Sequence, residues 1–124
     1  VELKMNYSEM TDFEINCAVA ASLGREFFYN SPGEPGKRRK SFVIDDVCRD
    51  VYESGAWSSD VFDPCKSWAD AGPIIGKENI SLTCHQSRDE WAAIFNRHCM
   101  SANQNPLRAA MECFLMKKER ENVA

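Results

Sequence analysis

Cys84-His85 and His98-Cys99 are the residues of this chain whose types could do chemistry. Thiolate and imidazole are zinc ligands, and they are also the nucleophile and base of cysteine hydrolases. Neighbouring strand residues point to opposite faces, so each pair can offer a metal only one ligand. Two more would have to come from Cys17, Cys48, Cys65 or Cys113, and no C-x-x-C spacing supports that assembly. The nucleophilic reading needs an orienting Asn or Asp and a base within hydrogen-bond reach, and the adjacency of Cys99 and His98 in sequence is not that geometry. No G-x-S-x-G, G-x-G-x-x-G or Walker-type loop is present, and Gly33-Glu34-Pro35-Gly36-Lys37 lacks both the spacing and the following Ser or Thr. The expectation is a protein without catalytic residues, metal or cofactor, its thiols buried and its histidines partly exposed.

Two clusters suit binding better. Lys37, Arg38, Arg39 and Lys40 form the densest positive charge, set between Phe27, Phe28, Tyr29 and Phe42. Basic side chains interleaved with aromatics can follow a phosphate backbone and stack bases. A net charge of −4 favours the plainer reading of a solvated hairpin tip whose lysines guard a sheet edge. Residues 41 to 70 hold seven acids against Arg49 and Lys66, a surface for a basic partner or a counterweight to the tip. Trp57, Trp68 and Trp91 are the candidate lining of a small-ligand or nucleotide pocket.

A chain of 124 residues, 44% hydrophobic and 27% charged, is expected to be a single globular domain over residues 1–124, with residues 1–10 a partly ordered N-terminal extension. The acidic balance disfavours indiscriminate nucleic-acid binding. The apolar runs Cys17 to Ala21 and Trp91 to Phe95 are far short of a bilayer span, and no signal-peptide pattern opens the chain. The expected location is the cytoplasm, where six cysteines stay reduced.

The elements that must position these residues follow from local signals. Thr11 and Glu14 form a capping box, and Met10 and Ile15 occupy the positions of a hydrophobic staple. Ile15, Ala18, Val19, Ser22 and Leu23 continue a helical stripe that Gly24 is expected to end in the left-handed conformation. Glu26 to Tyr29 and Ser41 to Ile44 read as a hairpin. Asp45 to Asp63 reads as a long connection with room for one strand. A second helix carries Trp68, Ala71, Ile74 and Ile75 on one face, and either Ser67 or Asp70 caps it, the latter placing Pro73 in the first turn. Ile80 to Cys84 and Trp91 to Phe95 read as a second hairpin. Asn105 caps the last helix, Pro106 is its first residue, and Leu107, Ala110, Met111, Phe114 and Leu115 form its apolar stripe. The expected fold is α+β in the order α-β-β-α-β-β-α, one mainly antiparallel sheet of four or more strands packed with helices.

Three segments carry a resemblance: Tyr7 to Asn16 with Ala18-Val19-Ala20, Phe62-Asp63-Pro64-Cys65 with Ala69-Asp70-Ala71 and Pro73-Ile74-Ile75, and Asn105 to Met111. Together they resemble the NinX-like proteins of lambda-like tailed phages and their prophages. A weaker similarity is to phage ABA-sandwich domains, in which a sheet lies between helices. The resemblance implies a small accessory phage protein and brings neither a biochemical activity nor catalytic residues with it; with no catalytic motif in the chain, the leading expectation is that it acts by binding a host or phage protein. It also implies Met5 as the usual start, with Val1 to Lys4 upstream. Gly72 stands where a tryptophan is expected, and Trp68 where a proline is expected. The expected partners are thus a host or phage protein, with nucleic acid second and no membrane; self-association fits the sequence equally well.

Overall fold

The computed structural model describes residues 6–27, 33–56 and 58–122. A short 3-10 turn at Tyr7–Glu9 leads into α1 (Asp12–Leu23). β1 (Arg25–Glu26), β2 (Arg39–Ile44) and β3 (Val47–Tyr52) follow, then α2 (Trp68–Lys77), β4 (Ser81–His85), β5 (Glu90–Asn96), β6 (Cys99–Asn103) and α3 (Pro106–Glu121).

The capping box forms as the sequence predicts: Glu14 N–H donates to Thr11 Oγ1 at 3.1 Å, and Thr11 N–H donates to Glu14 Oε1 at 2.9 Å. Gly24 is not left-handed; its φ is −154°. The glycine is needed for close approach, because a Cβ there would sit 1.9 Å from the Val43 carbonyl oxygen on β2. Ser67 caps α2, accepting from Asp70 N–H at 3.3 Å, so Pro73 lies inside the helix. Having no N–H, it cannot bond the carbonyl of Ala69. Asn105 caps α3 through Leu107 N–H at 3.0 Å, with Pro106 at the first position.

The fold class is α+β, but the expected single sheet is two. β1-β2-β3 and β4-β5-β6 are separate antiparallel three-stranded sheets. β6 is an additional strand, too rich in small and polar residues (Cys-Met-Ser-Ala-Asn) to show as one. Packing explains the division. α1 lies against the first sheet and against α3, while α3 lies against β5 and β6. α1 and α3 therefore sit between the two sheets, the reverse of a sheet between helices, and α2 packs on α3. Nine consecutive residues of α3, Leu107 to Leu115, are buried, as befits a helix surrounded on all sides.

The three segments that carried the family resemblance converge on this central helix. Arg108 Nε donates to Glu112 at 2.6 Å and Nη1 to Asp12 at 2.6 Å, while Nη2 donates to the carbonyls of Tyr7 and Met10. Ser101 Oγ donates to the other Glu112 oxygen at 2.5 Å. Nearby, Asn16 Nδ2 donates to Asp63 at 2.8 Å and Asn16 Oδ1 accepts from Cys65 N–H at 3.1 Å. Asn105 Nδ2 completes the set, donating to the Cys65 carbonyl at 2.6 Å. The first, middle and last segments are thus tied into one buried polar hub.

Candidate functional site

The basic tip is partly neutralised by the fold. Arg38 Nη2 and Nε donate to Glu53 at 2.8 and 2.9 Å, and the Gly36 and Arg38 amides donate to the same carboxylate at 2.9 and 3.1 Å. The hydrogen bonds from the Arg38 side chain, then from its backbone, hold the Glu53 carboxyl down to about 2. Arg38 also lies 5.2 Å from the centre of the Phe13 ring. Lys40 stands 3.6 Å from Glu26. Lys37 and Arg39 are exposed and have no ion pair among the described residues. Phe28 and Tyr29, expected beside the tip, lie outside the described residues.

The acidic connection is likewise drawn into structure. Asp50 is buried and accepts from Ser41 Oγ at 2.6 Å and Ser58 Oγ at 3.0 Å. Asp63 belongs to the hub, and Asp70 accepts from Arg49 at 2.9 Å and from Asp63 N–H at 2.9 Å. The backbone of this stretch is pinned by Asp50 N–H to Asp60 and Phe62 N–H to Asp50, both at 2.8 Å. Asp45, Asp46 and Asp60 remain exposed.

The cysteines and histidines do not converge. His85 and His98 are both exposed, and His98 Nε2 accepts from Arg97 Nε at 3.3 Å. Among the described residues no three His, Cys, Asp or Glu side chains are grouped as a metal site. Burial pushes the thiol of Cys17 up to about 12 and that of Cys113 up to about 11, and it raises Cys65 and Cys99 as well. Thiols held in the protonated form are poor nucleophiles.

Of the three tryptophans, Trp57 lies outside the described residues. Trp91 is half-buried on β5, paired with Cys84 and Asn103. Trp68 is 58% exposed at the first position of α2, so it leaves the buried face that Ala71 and Ile74 share. No described cleft is lined by Trp68 or Trp91.

The outward face of α2 is the surface that most departs from expectation. A surface helix normally turns charged residues to water. At 100° per residue, the face centred between Trp68 and Pro73 carries Trp68, Ala69, Gly72, Pro73 and Gly76, none of them charged. Trp68, Ala69, Pro73 and Gly76 are exposed. A Cβ built on Gly72 or Gly76 would meet nothing within 4 Å, so the fold itself does not call for glycine at either place. The sequence flagged Gly72 as a departure from the family pattern and Trp68 as that and as a pocket candidate on the apolar face; the helical wheel was the signal that would have exposed the outward face.

Comparison with family models matches residues 6–118 to the family described as Bacteriophage P22, NinX. The chain belongs to that family. The match spans the hub, α2 and both sheets, so the NinX family model covers the surfaces described above. No curated protein and no solved structure matches. Among the described residues no helix is long and apolar enough to cross a membrane.

Proposed function

We propose that this NinX-family chain is a phage accessory protein that works by binding another protein, from the host or the phage, through the outward face of α2. The exposure of Trp68 on an uncharged helix face carries this reading. Tryptophan is enriched among residues that dominate binding energy, and a contiguous exposed apolar face on a folded protein marks an interaction surface. The two glycines support it. Each costs about 1 kcal/mol in a helix interior relative to alanine, and with open space above them that expense has no return inside the molecule. A smooth surface at Gly72 and Gly76 lets a partner backbone come close, beside a Trp68 anchor.

The test is affinity capture from phage-infected cells with three baits: the tagged wild type, Trp68→Ser and Gly72→Lys, each with and without nuclease. A protein retained by the wild type, lost by both variants and indifferent to nuclease is the expected result. Equal capture by all three baits overturns the assignment to α2. Capture that nuclease abolishes moves the function to nucleic acid, with Lys37 and Arg39 as the exposed cations to replace.

A further inference from the structure

The inner flank of α2 borders a cleft of about 280 Å³ whose floor is apolar, built from Phe62, Ile74 and Phe114 with Leu23 and Ile44 at the side. Its charged residues fall into two groups. Arg49 and Asp70 satisfy each other at 2.9 Å, with Arg49 also donating to the Val61 carbonyl, and Glu78 accepts from Lys117 at 2.9 Å. Asp45 and Lys77 are different: both line the cleft, both are exposed, and neither side chain has a hydrogen bond or ion pair among the described residues. They are one acid and one base over an apolar floor.

We infer that this cleft is a binding site for a zwitterion with an apolar side chain, a free amino acid such as leucine. The charge pattern selects the class: Arg49 with Asp70 and Glu78 with Lys117 are already paired, whereas Asp45 complements an ammonium group and Lys77 a carboxylate. Size agrees: a cleft of about 280 Å³ has room for one such molecule. The floor supplies the apolar contact that fixes a side chain while the two charges orient the backbone groups. Asp45 is held at its place by a left-handed turn, φ 52°, followed by Asp46 at 64°, so its carboxylate is not on a freely moving segment. The cleft adjoins the proposed partner surface and shares Ala69 and Pro73 with it, but its two unpaired charges, Asp45 and Lys77, lie outside the outward face of α2, so leucine binding is read without any partner protein.

The test is a titration of the full chain, followed by amide NMR signals, with L-leucine, 4-methylpentanoate, 3-methylbutylamine and glycine. Leucine should shift the signals of Asp45, Ala69 and Lys77 saturably; 4-methylpentanoate and 3-methylbutylamine, each lacking one charge contact, should bind about two- to five-fold more weakly, the range of one solvent-exposed ion pair, and glycine, lacking the apolar contact, should also bind more weakly. Asp45→Asn suits the same left-handed backbone; it should weaken leucine by that factor and leave 4-methylpentanoate unchanged. Lys77→Met should weaken leucine and leave 3-methylbutylamine unchanged. Both replacements are at exposed positions, so loss of the fold does not confound them. Absence of saturable leucine shifts, an analogue binding as tightly as leucine, or leucine affinity indifferent to both substitutions overturns the proposal.

Discussion

Arg108 and Arg38 hold carboxylates by the same chemistry in two different media. The Arg108 side chain is 8% exposed and its partner Glu112 2%, whereas Arg38 is 41% exposed and Glu53 18%. Both clusters also bind backbone, Arg108 through the carbonyls of Tyr7 and Met10, Glu53 through the amides of Gly36 and Arg38. Solvent separates their roles. In the interior each charge depends on its partner, since neither can return to water, while at the surface water competes for every contact. Arg108 therefore ties the first family segment to the last, while Asn16 and Asn105 bring in the middle one. Arg38 settles the shape of a loop and lies over the Phe13 ring at the edge of the core, and in doing so it withdraws one positive charge from the tip.

The largest test of that difference is Arg108→Met. It leaves Glu112 buried with only Ser101 as donor and releases the Tyr7–Glu9 turn, for an expected loss of about 3–5 kcal/mol in urea unfolding. Adding Glu112→Leu should restore most of the loss, because an apolar pair of similar volume removes the stranded charge. A single-variant loss below about 1 kcal/mol would put the two arginines on one footing and break the comparison.

Asn16→Ala probes the same hub without charge. The amide is 4% exposed and bridges Asp63 to the Cys65 N–H, so truncation strands both partners at an expected cost of about 1–3 kcal/mol. Urea midpoints for this variant should fall between those of Arg108→Met and any tip variant. A loss as large as that of Arg108→Met would show that burial alone, without charge, sets the value of the hub.

Local signals in the sequence translated directly into structure where the physics is local. The Thr11–Glu14 box, the Asn105-Pro106 start and the stripe from Leu107 to Leu115 all stand where short-range rules put them. What failed depends on distant parts of the chain. Gly24 is required by the Val43 carbonyl, a contact that only the folded β2 creates. The division into two sheets follows from α3 being buried all round, which its apolar stripe understates because Arg108 and Glu112 look like surface residues until they are seen to pair. Among candidate sites, Lys37 to Lys40 was visible as charge and the acidic stretch as a counterweight to it, which the Arg38–Glu53 pair realises; the pairing of Lys40 with Glu26, on the preceding strand, was not visible. The cleft beside α2 was illegible for the same reason: Asp45 and Lys77 are far apart in sequence and line one cleft only in the folded chain.

The smallest effect belongs to the tip, and pH reads it most directly. Glu53 is lowered from an ordinary 4.5 to about 2, first by the Arg38 side-chain hydrogen bond. A depressed folded value means that the stabilising contact is fully present above the ordinary value and is lost as pH falls through the lower one. At about pH 3, between the two, the wild-type carboxylate stays ionised and continues to accept from Gly36 and Arg38, so their amide NMR signals should match those at neutral pH. In Arg38→Met the same carboxyl loses its main donor, and the Gly36 signal should already have moved by that pH. Concentrated salt should shift the wild-type midpoint upward, since the pair is exposed and screened. At neutral pH the Arg38→Met substitution itself should leave the amides of the hub where they stand in the wild type, because no hydrogen bond among the described residues joins the tip to Arg108. Were the hub signals to move with those of Gly36, the tip would be coupled to the core, and the solvent boundary drawn between the two arginines would be in the wrong place.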